Sequence, residues 1–194
     1  AAFLSALLIL AIGESPGEAL KLMVEGTLLR SAGWGYMLYY TTNFIFTGLA
    51  VSIAFHASLF NIGGEGQAMM GGLGVSLVCL FIPWPHWSLA IVGASVGAAV
   101  FGMIWAGLPA YLQAKRGSHI VITTIMFNFI AAGILNFFLV GALKPKGSMD
   151  PATANFPAST HLPTFEDMAQ LLGFEKMFRS APANVSFFIA LLAC

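Results

Sequence analysis

The sequence predicts an all-α, polytopic transmembrane bundle with a broken, glycine-rich helix region, and three observations carry that prediction. Of 194 residues, 58% are hydrophobic and only 8% charged, against about a quarter charged in soluble domains. Apolar runs of about 20 residues, enough to cross a bilayer, recur along the chain. Between two of them stands the polar knot Asn61-Ile62-Gly63-Gly64-Glu65-Gly66-Gln67. Eight basic and eight acidic residues cancel, so no charge draws the chain to nucleic acid. Cys79 and Cys194 lie far apart in apolar runs and suggest neither a disulfide framework nor a metal pair.

The chain opens on AAFLSALLIL and closes on NVSFFIALLAC. Neither end carries a signal-peptide pattern, so residues 1–12 and 184–194 are expected to be partial spans of a domain cut at both ends. At Ser15-Pro16-Gly17-Glu18 a helix should begin, with Ser15 as cap, Pro16 in first position and Glu18 closing a capping box. Leu20, Met23, Val24, Thr27 and Leu28 follow at helical spacing, while Glu18, Lys21 and Glu25 share another face. That pattern suits a helix lying in the interface. Trp34, Tyr36, Tyr39 and Tyr40 resemble an aromatic belt at the membrane edge.

Complete spans are expected at about 41–60, 67–82, 88–113 and 120–141, all within one transmembrane domain over residues 1–194. Pro83-Trp84-Pro85-His86-Trp87 turns the chain at an interface. The turn Ala114–His119 contains Lys115 and Arg116 and no acid, which places it in the cytoplasm by the positive-inside rule. Counting crossings then puts the polar knot in the cytoplasmic half and residues 13–35 and 142–183 outside. Residues 142–183 hold five of the nine prolines. They read as an irregular extracytoplasmic loop with a short helix around Thr164–Leu172, serving either as a docking surface or as a plain connector.

Glu65 is the acidic residue between two runs that otherwise carry none, and a carboxylate at membrane depth costs about 2.5–3.5 kcal/mol on insertion scales. Three glycines beside it favour a broken helix whose freed backbone groups must face protein or a water-filled cavity. Asn61, Gly63, Gly64, Glu65 and Gln67 are therefore candidate pathway residues. The plainer reading is a tight re-entrant turn in which Glu65 caps the next helix. Thr124 and Asn128, four residues apart, share one helix face, with Asn136 two turns on. They form either a stripe along a pathway or interhelical hydrogen bonds.

Gly93 and Gly97 make a GxxxG suited to close helix packing. His56, His86, His119 and His161 show no zinc-ligand spacing, so no metal site is expected. Motifs for a serine elbow, a zinc protease or a phosphate-cradling loop do not occur. Ser58 and His119 are one example of a pair that an intramembrane hydrolase could use, although Ser and His are common residues.

At Phe60-Asn61-Ile62-Gly63-Gly64-Glu65-Gly66-Gln67, preceded by Gly48-Leu49-Ala50-Val51, the chain resembles the nucleoside and simple-sugar permeases of bacterial ABC importers. These sit within the larger group containing ribose and branched-chain amino acid permeases. Residues Leu112–Asn128, reading LQAKRGSHIVITTIMFN, are similar to the family stretch K-A-x-x-G-x-x-E-V-I-S-T-I-M-L-N. Here His119-Ile120 stands for the usual Asn-Glu and Thr123 for Ser, so the acid that the family carries at this turn is missing.

The resemblance implies a multi-pass protein of the bacterial inner membrane, moving a nucleoside or simple sugar by alternating access. It implies a second permease subunit, an ABC ATPase subunit that holds the ATP and Mg, and an extracytoplasmic binding lipoprotein as partners, besides membrane lipid. No cofactor is then expected in this chain and no covalent chemistry by its residues. The family's ATPase-coupling loop is expected after the helix beginning near Asn184. Rival readings are a branched-chain amino acid permease, an intramembrane hydrolase and an ion-coupled carrier.

Overall fold

A computed structural model describes residues 2–57, 60, 62–173, 178 and 181–194. Helices dominate, and among the described residues the only β pairing is the single bridge Thr164–Asn184. The chain divides into two compact units, residues 1–46 with 163–194, and residues 47–162.

In the first unit, α1 (Ala2–Ala11) and α2 (Pro16–Val24) meet at a sharp bend. Ser15 caps α2 by accepting from the Glu18 N–H, with Pro16 at the first helical position, as the sequence predicts. A π-helical turn, Glu25–Leu29, follows. Its Leu28 carbonyl accepts from Trp34 Nε1 at 2.9 Å, so the indole satisfies a backbone group that an α-helix would pair internally. Lys21 and Glu25 pair at 3.7 Å along the exposed face.

Helix α3 (Ser31–His56) begins ten residues before the span expected at 41–60, and it takes up Trp34, Tyr36, Tyr39 and Tyr40 in its own first turns. Gly35 on α3 lies against the Ala181 methyl, where any side chain would collide. Helix α7 (Phe165–Leu171) falls where the short helix is expected, with a complete capping box between Thr164 and Asp167. Helix α8 (Ser186–Ala193) follows, and the Phe165 ring packs on Phe187 and Phe188.

The second unit is built on α4 (Gly64–Phe81), α5 (Trp87–Arg116) and α6 (Ile120–Val140). Helix α4 packs chiefly on α5, with Gly74 against the Gly97 carbonyl and Gly71 near the Ala98 backbone. A Cβ on Gly97 would lie 2.7 Å from Val78 Cγ2, whereas Gly93 makes room for the Trp84 ring. Trp84 Nε1 donates to the Val78 carbonyl at 3.0 Å, pinning the α4–α5 turn. The core gathers Met70, Leu73, Trp105, Ala131 and Leu143.

At the α5–α6 turn, Lys115 and Arg116 occupy the last helical turn and Gly117 closes it with φ of 66°, a left-handed cap that favours glycine. The cations complement the negative helix end.

Helices α3, α5 and α6 are each long and apolar enough to cross a membrane, and the bent pair α1–α2 makes up to four crossings. Helix α4, expected as a complete span at 67–82, is not among them. Its 18 residues include five glycines, Glu65 and Gln67, which lower its hydropathy. With apolar side chains such as Phe44, Phe129 and Phe137 about 70% exposed, the chain is a multi-pass membrane protein.

The helix break as candidate substrate pathway

The chain leaves α3 at His56 and restarts as α4 at a glycine pair, Gly63-Gly64. The described residues 57, 60, 62 and 63 belong to no helix, and α4 restarts at Gly64 with Gly63 as a cap that offers no side chain. Asn61 and Ser58 lie outside the described residues. A restarting helix leaves its first N–H groups without internal acceptors, and one of them finds Asn128 of α6.

Asn128 Oδ1 accepts from the Gly66 N–H at 2.9 Å, and its Nδ2 donates to the Ile62 carbonyl at 3.1 Å. One carboxamide thus holds both sides of the break. Asn128 stands eight residues into α6, about 12 Å from its start at 1.5 Å per residue. The break is therefore seated at depth and not at the level of the α5–α6 turn. Among the described residues no ion pair enters this arrangement, and Glu65 is exposed on the first turn of α4.

Gly66 is buried because α5 and α6 close over it. A Cβ there would lie 2.8 Å from Asn128 Oδ1, 3.0 Å from Trp105 Nε1 and 3.2 Å from Asn128 Cα. The close approach requires glycine. Trp105 is 7% exposed and stacks edge-on with Phe127 at 5.4 Å. Its indole N–H has no hydrogen-bond partner among the described residues.

Beside the break lies a cavity of about 160 Å³, with Gln67, Gln113 and Thr124 as its polar lining and Phe60, Pro109 and Ile120 among its apolar lining. It carries no charged side chain among the described residues. Pro109 sits inside α5 and has no N–H, so the carbonyl of Trp105, four residues earlier, lacks its helical donor. Thr124 is 2% exposed, and its hydroxyl donates back to the Ile120 and Val121 carbonyls at 2.8 and 3.1 Å. It offers the cavity an oxygen whose proton is already engaged.

The residues singled out from sequence therefore divide. Gln67 and Thr124 meet at the cavity, Asn128 acts as an interhelical clasp, Gly63 and Gly64 form the restart, and Glu65 stands apart. His56 bonds the Ser52 carbonyl of its own helix at 2.8 Å. Among the described residues no group of His, Cys, Asp or Glu is placed to hold a metal. Trp105, Pro109 and Gln113 were not singled out. A tryptophan and a proline in mid-span were the available signals, since tryptophan normally marks an interface.

A family model described as "Branched-chain amino acid transport system / permease component" matches residues 34–194. Among curated proteins, the glucose ABC transporter permease protein TsgB13 of Haloferax volcanii is 33% identical over 84% of this chain and 40% of its own length. The guanosine ABC transporter permease protein NupP of Bacillus subtilis is 33% identical over 71% of this chain and 39% of its own. The nucleoside ABC transporter permease protein NupB of Lactococcus lactis subsp. cremoris is 30% identical over 77% of this chain and 41% of its own. The chain thus spans about two fifths of the length of these relatives. No solved structure matches it. With its apolar helices and a family match covering most of its length, the chain belongs to the family of branched-chain amino acid transport system permease components.

Proposed function

We propose that this chain is a pathway-forming part of an ABC importer permease subunit that moves a nucleoside or simple sugar across the bacterial inner membrane. Transport proceeds by alternating access, with ATP and Mg held by a separate ATPase subunit. A second permease subunit and an extracytoplasmic binding lipoprotein complete the assembly, and the Lys115–Arg116 turn faces the cytoplasm. The names of the relatives support this reading of substrate and machinery.

The observation that carries it is the helix break seated at depth beside a cavity whose polar lining, Gln67, Gln113 and Thr124, is uncharged. Such walls suit a neutral solute with hydroxyl or amide edges. An amino acid zwitterion would bring two charges with no countercharge to meet them, a costly burial. The alternative of a branched-chain amino acid substrate is favoured only by the family's description.

Uptake of labelled guanosine and of labelled glucose by the full-length permease with its ATPase tests the proposal. Excess guanosine or glucose should suppress uptake, leucine should not, and Gln67→Leu should reduce transport at least about tenfold by leaving a solute hydrogen bond unmade. Suppression by leucine alone would replace the proposal with the amino acid reading. Normal uptake in both Gln67→Leu and Glu65→Gln would confine the break to a structural role.

A further inference from the structure

We propose that the Trp105 indole N–H is a second hydrogen-bond station for the Asn128 carboxamide, giving the helix break two arrangements. In the arrangement described, Asn128 Oδ1 accepts from the Gly66 N–H and Trp105 has no partner. In the other, Oδ1 accepts from Trp105 Nε1 and the start of α4 is released.

Four observations converge on this. The Trp105 nitrogen is buried and unpaired among the described residues, and such groups in native structures call for an explanation. Bulk solvent has little access to it, since the residue is 7% exposed. The nearest built environment supplies one: Asn128 Oδ1 and Trp105 Nε1 both border the point that a Gly66 side chain would fill, at 2.8 and 3.0 Å. The Phe127 ring, one residue before Asn128, holds the indole edge-on at 5.4 Å. A carbonyl oxygen has two acceptor sites and one is engaged, so a small shift of α6 against α5 transfers the bond without passing through an unbonded state. Gly66 keeps the transfer path open because it has no Cβ.

The permease reading enters only in assigning the two arrangements to stages of transport; the equilibrium itself is measured without transport. The full-length permease in lipid nanodiscs is subjected to amide hydrogen exchange, read at Gly66, whose N–H is protected only while Asn128 holds it. Trp105→Phe removes the second station, so Gly66 exchange should slow by about fivefold, the effect of one neutral hydrogen bond. Trp105→His keeps a ring N–H and should restore most of the wild-type rate, whereas Asn128→Leu should accelerate exchange. If Trp105 served only to pack the core, Trp105→Phe would loosen the break and speed exchange; faster or unchanged exchange overturns the proposal.

Should neither Trp105 variant fold, the ¹⁵N–¹H indole signal of Trp105 in the unsubstituted chain decides. Exchange between two positions that Asn128→Leu abolishes supports the second station, and a single unexchanging position overturns it.

Discussion

Replacing Asn128 by Leu isolates the clasp, because leucine keeps the branching and the four side-chain heavy atoms of asparagine and opens no cavity. Two bonds vanish, from the Gly66 N–H at 2.9 Å and to the Ile62 carbonyl at 3.1 Å. In membrane proteins such interhelical bonds average about 0.6 kcal/mol each. The larger loss is the buried Gly66 N–H left without an acceptor, about 1–3 kcal/mol. A destabilisation of about 2–4 kcal/mol follows, measurable by reversible detergent-induced unfolding in mixed micelles. Gly66→Ala should act through the same contact: its Cβ displaces Oδ1, an overpacking that costs about 1–3 kcal/mol, partly offset by about 1 kcal/mol of helix propensity. In an Asn128→Ala background the Oδ1 obstacle is gone, so the increment should shrink by about 1 kcal/mol. Additivity within about 0.5 kcal/mol, or a loss below that value in Asn128→Leu alone, refutes the clasp as what holds the break.

Gly97→Ala drives a methyl toward Val78 Cγ2 and the Gly74 carbonyl and should cost about 1–3 kcal/mol in the same unfolding assay. Gly93→Ala instead pushes on the Trp84 ring and threatens its bond to the Val78 carbonyl; a shift in Trp84 fluorescence should report it, with no change at the α4–α5 glycine contact. Thr164→Ala removes the α7 cap and should cost that short helix about 1 kcal/mol, read as lost amide protection over 164–171. The Thr164 hydroxyl and N–H both donate to Asp167, holding its carboxyl below the ordinary range. Because the folded-state pKa is depressed, its contribution is full above the ordinary carboxylate range and is lost as pH falls through the folded value. Protection of α7, corrected for intrinsic exchange, should therefore weaken on acidification, and Asp167→Asn should remove that dependence.

What was legible in the sequence follows the physics of each signal. Span length and composition locate α5 and α6 to within a few residues of their observed ends, and α7 falls where a short helix around Thr164–Leu172 is expected, although its Thr164–Asp167 capping box was not read from the sequence. Helix α3 was drawn too short because Trp34, Tyr36, Tyr39 and Tyr40 read as an interfacial belt, although aromatic residues are also admissible within a helix. At the break, glycine content signals irregular backbone, but the partner that makes it viable is about 60 residues away in sequence. No local pattern distinguishes an asparagine that faces a solute from one that holds a backbone. Trp105 was passed over for the same reason: its place against Gly66 exists only once α4, α5 and α6 are packed.

The clasp constrains how this region moves. Because a single side chain of α6 bonds Ile62 before the restart and Gly66 after it, the position of α4's first turn is tied to the axial position of α6. A slide of α6 by one residue, about 1.5 Å, changes the geometry of both bonds, whereas α4 and α5 are interlocked through Gly74 and Gly97 and resist relative motion. At the break itself α6 is joined to Ile62 and to α4 by two neutral hydrogen bonds, beside the shared core of Met70, Leu73, Trp105 and Ala131. That contact borders the cavity holding Thr124 and Gln67, so a movement of α6 would reshape the cavity and release the start of α4 in one step. A disulfide engineered between α4 and α6 near Gly66 should therefore block uptake while one between α4 and α5 near Gly74 should spare it; equal inhibition by both would place the moving contact elsewhere.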